Sequence, residues 1–104
     1  MINMKPILID DKPFVSIEVN LPKTNLLMIS TDNGYVMCGA LDIELLRNKL
    51  ANRKIIAARA TGVKTIEELL NGNVESCTQA AEEIGIQKNM PIREALLLMK
   101  ECSQ

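Results

Sequence analysis

Two side chains, Cys38 and Arg59, carry most of the chemistry this sequence could perform, the first near the far end of a strand and the second within one. Cys38 falls within TDNGYVMCGALD, after a short apolar run and just before a helix start at Asp42. A thiol near the unpaired N–H groups and the positive dipole end of a helix N-terminus is biased toward thiolate, the form that attacks electrophiles. The competing reading is a small buried hydrophobe, since free cysteine is among the most buried residue types. Arg59 interrupts the alanine-rich run Ala57, Ala58, Ala60. A guanidinium does not lose its proton, so it must reach a carboxylate, backbone carbonyls, an anion or water. Pairing with Asp or Glu is the structural alternative to ligand binding. Gly39, Thr61, Gly62 and Thr65 cluster around the same strand ends, and Lys23 adds a cation in an earlier turn. Together these residues suit a carboxylate or phosphate, with Lys23 or Arg59 also available to stabilise charge beside a Cys38 nucleophile.

Composition removes other chemistries. Histidine is absent from the 104 residues, which takes away the commonest general base, metal ligand and partner of a Ser or Cys nucleophile. The three cysteines are widely spaced with no C-x-x-C, so neither a disulfide framework nor a zinc site is encoded, and no metal or cofactor is implied. Reduced thiols in the cytoplasm are expected. The net charge of −1, the scattered Lys and Arg, and a single Tyr and single Phe argue against nucleic acid. No apolar run approaches the roughly 20 residues that span a bilayer, and Met1 to Pro6 does not lead into a signal-peptide core. The string G-V-K-T at 62–65 fails as a phosphate loop, because Val63 separates glycine from lysine and the upstream glycine is missing.

The elements that must position these residues read as one α+β domain over 1–104. A first strand runs from Lys5 to Asp10, and the adjacent acids Asp10-Asp11 suit a turn better than acid/base work. Phe14 to Leu21 alternates, which predicts an antiparallel strand with Val15, Ile17, Val19 and Leu21 inward and Ser16, Glu18 and Asn20 in water. Leu26 to Ile29 reads as a central strand. Asn33-Gly34 predicts a type I′ hairpin, with Asp32 facing Tyr35, Ile29 opposite Cys38 and Met28 opposite Gly39. A helix over 42–53 then makes a crossover to a strand at Ile55 to Thr61, parallel to the strand at Tyr35 to Ala40. Thr65 and Glu68 form a capping box for a short helix ending at Leu70. Asn73 caps a predicted helix from Val74 to Ile84, with Cys77 in its core stripe and Glu75 in its first turn. Pro91 opens the last helix on a stripe of Ile92, Leu96 and Met99. The whole is a mixed, mostly antiparallel sheet of about five strands with one parallel pair, packed with three to four helices.

The strings GYVMCGALD, ARATGVKTIEELL and REALLLM resemble the YunC-like family of small bacterial and archaeal proteins of unknown function. The resemblance runs from LPKTNLLMI to REALLLM. It implies a compact α+β domain and, since the family has no activity attached, no catalytic residue.

Three functions are open at this level. Parallel strands joined by a crossover gather Cys38, Gly39, Arg59, Thr61, Gly62 and Thr65 on one edge, which favours binding an anionic small molecule. A cysteine-dependent enzyme with Cys38 as nucleophile is the second. The third is a structural or interaction protein acting as a homo-oligomer, because Leu97 and Leu98 widen the apolar face of the last helix beyond what one sheet layer covers.

Overall fold

The computed structural model describes residues 2–22, 24–39 and 55–101. Two acidic residues with left-handed backbone start its architecture. Asp10 (φ 51) and Asp11 (φ 66) form a two-residue turn that pairs Ile9 with Lys12. Positive φ at both central positions is the mark of a type I′ turn, and Asp tolerates it better than most residues. The turn joins β1 (Ile2–Ile9) to β2 (Lys12–Leu21), and β3 (Thr24–Ser30) adds antiparallel to β2.

This register inverts the faces expected for β2. Phe14 and Ser16 point inward with Ile9, while Val15 and Leu21 are exposed and Ile17 and Val19 are half-buried. The reason lies in the turn. Pairing Ile9 with Lys12 sends the aromatic ring and Ile7 to the same side of the hairpin, and the ring is the larger apolar group to bury. Ser16 satisfies its hydroxyl by donating to the Lys5 carbonyl at 3.3 Å.

The second hairpin also differs from expectation. Neither Asn33 nor Gly34 has positive φ. Thr31 organises a longer loop instead, its Oγ1 accepting the N–H of Asn33 at 3.0 Å and of Gly34 at 3.3 Å, while its own N–H donates to the Gly34 carbonyl at 2.8 Å. Ile29 therefore faces Val36 rather than Cys38, and Met28 faces Met37 rather than Gly39. A two-residue slip preserves which face each side chain occupies. Gly34 serves close approach: a Cβ there would lie 2.5 Å from the Ile56 carbonyl oxygen.

β4 (Tyr35–Met37) and β5 (Ala57–Arg59) run parallel, as the sequence predicts, with Met37 beside Arg59. The crossover helix expected at 42–53, with its start at Asp42, lies outside the described residues. The helix expected from Val74 is replaced by a sixth strand, β6 (Ser76–Cys77), antiparallel to β5. Thr78 explains the change. Its N–H donates to Ala57 O at 3.0 Å, its hydroxyl donates to Ile55 O at 2.6 Å, and the same oxygen accepts from Ala57 N–H and caps the next helix at Ala81 N–H. These bonds hold the segment on the sheet edge until residue 78. The sheet order is thus β1-β2-β3-β4-β5-β6.

Three described helices follow the parallel pair: α1 (Ile66–Leu70), α2 (Gln79–Glu83) and α3 (Ile92–Glu101). Thr65 caps α1 as expected by accepting from Glu68 N–H at 3.0 Å, but the Glu68 carboxylate takes the Lys64 N–H at 2.8 Å rather than that of Thr65. α3 buries Ile92, Ala95, Leu96 and Met99 completely. This stripe meets Ile9, Phe14, Leu27, Ile29, Val36 and Cys38 from one face of the sheet in a single apolar core. Asn33 ties the second hairpin to that helix, its Nδ2 donating to Met99 O at 3.1 Å.

Candidate functional site

Alternation along adjacent parallel strands decides whether Cys38 and Arg59 meet. Met37 pairs with Arg59, and the Ala60 N–H donates to Met37 O at 3.0 Å, so Cys38 follows the Val36 and Ala58 face while Arg59 follows the Met37 face. Cys38 and Arg59, expected together on one edge, therefore point to opposite faces of the sheet. Cys38 is 6% exposed, belongs to the apolar core, and directs Sγ toward the Asn25 carbonyl at 3.9 Å. Its surroundings match the reading of cysteine as a small buried hydrophobe.

Arg59 has a carboxylate beside it. Glu75 lies just before β6, its N–H donating to Arg59 O at 2.7 Å, and its Oε1 accepts from Arg59 Nε at 2.9 Å and Nη2 at 2.8 Å. The Ser76 hydroxyl donates to the same oxygen at 2.7 Å. Ser76 first and Arg59 second hold the Glu75 carboxyl below the usual carboxylate range, because both bond preferentially to its charged form. The pair is partly exposed, 26% for the arginine side chain and 39% for the glutamate, so it joins β5 to β6 at the surface rather than burying two charges. An incoming anion would compete with Glu75 for the guanidinium.

The remaining expected residues divide. Gly39 and Thr61 are close, a Cβ on Gly39 falling 3.5 Å from Thr61 Cγ2, and Gly62 (φ 75) opens to solvent just beyond. Thr65 spends its hydroxyl on the α1 cap. Lys23 lies outside the described residues. A wide hollow of about 650 Å³ is lined by Gly62, Val63, Thr65, Glu67, Glu68 and Asn71. Its two carboxylates give it the sign opposite to the one an anion requires. Among the described residues every buried side-chain nitrogen or oxygen has a hydrogen-bond partner, and no group of three or more His, Cys, Asp or Glu could hold a metal ion. No described helix is long and apolar enough to cross a membrane.

The largest departure from a self-contained domain is elsewhere. Ile2, Met4, Leu8, Val15 and Leu21 are the exposed large hydrophobics among the described residues, at 65%, 64%, 70%, 36% and 43%. The pairings Ile2 with Val19, Met4 with Ile17, Pro6 with Val15 and Leu8 with Pro13 put all five on the same face of the β1–β2 hairpin, away from the core. No charged residue interrupts that face on either strand. Its signal in the sequence is the strict alternation of Val15, Ile17, Val19 and Leu21, which marks a face to be covered without saying by what. Glu75 and Ser76 were also missed as partners of Arg59, since a reading of 74–84 as helix hides a strand pairing.

Residues 37–99 match the family model described as Domain of unknown function (DUF1805). The chain is 52% identical over 99 residues to the Uncharacterized protein YunC of Bacillus subtilis (strain 168), across 95% of this chain and 98% of that one. Its fold is similar to the crystal structure of TA1206, a protein of unknown function from Thermoplasma acidophilum, with a TM-score of 0.84, 31% identity, and coverage of 95% of this chain and 93% of that one.

Proposed function

We propose that the chain, which belongs to the family described as Domain of unknown function (DUF1805), works as an interaction protein assembled from copies of itself through the outer face of the β1–β2 hairpin. The observation that carries this reading is the collection of Ile2, Met4, Leu8, Val15 and Leu21 on one uncharged face. Their exposed surface is on the order of 500 Å² per chain, at the upper range of the largest patch on a monomeric protein. Two such patches together give about 1,000 Å², enough for a specific interface. A two-fold axis suits it, because one self-complementary patch then covers another and sheet packs on sheet. The absence of charge argues against an acidic or basic partner. The reading sets the assembly in the cytoplasm, in keeping with free thiols at Cys38 and Cys77.

Small-molecule binding at Arg59 has less support, because Glu75 already engages the guanidinium through two nitrogens. Catalysis by Cys38 has less still, given its burial. The test is sedimentation velocity on the wild-type chain and on the Met4→Asp and Leu8→Asp variants. Self-association that either substitution abolishes, with circular dichroism unchanged, is the expected result. A wild-type chain that stays monomeric up to millimolar concentration refutes the proposal.

A further inference from the structure

α3 carries a second stripe beside the one it buries. Glu94, Leu97, Leu98 and Glu101 follow i, i+3, i+4, i+7 spacing, which aligns them along one line of the helix surface. With Met90 they line a hollow of about 260 Å³. Its floor is apolar, since both leucines are half-buried against the core, and a carboxylate stands at each end. The helix's own cations are directed elsewhere: Arg93 Nη2 donates to Asn71 Oδ1 at 3.2 Å, and Lys100 Nζ lies 5.5 Å from the centre of the Phe14 ring. Lys12 approaches Glu101 only to 3.8 Å, in an exposed pair that screens it weakly.

We infer that this stripe is a docking groove for a basic amphipathic helix of a partner protein. The charge pattern selects that occupant. Two copies of α3 packed antiparallel through Leu97 and Leu98 would set each Glu94 against the other's Glu101, which repels at both ends. A helix with two apolar residues flanked by Lys or Arg one turn away on either side fills the groove and pairs both carboxylates. The groove is independent of the proposed self-assembly face, because α3 packs on the core side of the sheet and the hairpin's exposed residues lie on the other.

The test uses the full chain and two synthetic helical peptides that share a central Leu-Leu pair, one with lysines and one with glutamates at the flanking i−3 and i+3 positions. Binding is followed by methyl shifts of Leu97 and Leu98 and by fluorescence anisotropy. The lysine peptide should bind at least about tenfold more tightly than its acidic twin, and the double variant Glu94→Lys, Glu101→Lys should reverse the order. Equal binding of the two peptides, binding of neither at millimolar concentration, or an order unchanged in the double variant overturns the inference. So does a Leu98→Asp variant of lower mass than wild type, which would mean that a second copy covers the groove.

Discussion

Replacing Gly34 by alanine tests the account of the second hairpin at its tightest point. The added Cβ would sit 2.5 Å from Ile56 O, 3.0 Å from Ile56 Cγ2 and 3.1 Å from Ile56 Cβ. A side-chain rotation relieves the methyl contact but not the carbonyl, which is backbone. β4 and the chain entering β5 must therefore part, stretching the bond from Tyr35 N–H to Ile56 O, now 3.1 Å. Overpacking costs about 1–3 kcal/mol, and loss of the hydrogen bond adds about 1 kcal/mol. The expected total is about 2–4 kcal/mol, a fall of roughly 10–25 °C in the midpoint of thermal unfolding for a chain of this size. Gly39→Ala is the control, because its Cβ would meet only Thr61 Cγ2 at an ordinary 3.5 Å, and it should change stability by less than about 0.5 kcal/mol. Denaturant unfolding of the two variants decides the matter. Equal, small effects would refute the close approach as the reason for glycine at position 34.

Other outcomes follow from the same geometry. Asp11→Gly should stabilise the chain by about 0.5–1 kcal/mol in urea unfolding, since Asp11 holds φ 66 where glycine carries no steric cost; destabilisation would contradict the turn. In a Cys102→Ser background, Cys38 and Cys77 should react with an aromatic disulfide only as fast as the chain unfolds, because both are buried; rapid labelling of Cys38 in the native protein would revive the thiol enzyme. Glu75→Gln should flatten the acid side of the stability profile. The Glu75 carboxyl is held below its usual range in the folded chain, so its contribution is present above the unfolded carboxyl's titration and disappears as pH falls through the folded one. Wild type and variant should therefore converge in strong acid, and a gap that persists there would mean that charge at Glu75 is not the cause.

The sequence made the parallel pair legible because an apolar run, a crossover length and a second apolar run admit few topologies. The core stripe of α3 was legible for the same kind of reason, its spacing being unambiguous. Asn33-Gly34 misled because glycine has two uses, positive φ and close approach, and local sequence does not tell them apart. The Val74–Ile84 region misled because the partners that make Ser76–Cys77 a strand lie on β5, far along the chain. For the expected site, Arg59 lies on β5 as expected while Cys38 falls one residue beyond the end of β4, and a one-residue offset between the paired strands puts them on opposite faces. The alternation in β2 identified two faces but misled on which is inward, since Phe14 and Ser16 are buried while Val15 and Leu21 are exposed. The burial of Phe14 on the other side sends the face of Val15 and Leu21 outward, and the local pattern of β2 does not distinguish the two directions.

If a second copy covers the hairpin's outer face, the Met4 methyl group reports on it directly. In a single chain Met4 is 64% exposed, so a soluble paramagnetic agent should broaden its methyl signal as strongly as that of any surface residue. With that face covered by a second copy, the signal should survive at concentrations where the chain self-associates and broaden on dilution or in the Leu8→Asp variant. A methyl that is fully broadened at every concentration would contradict it.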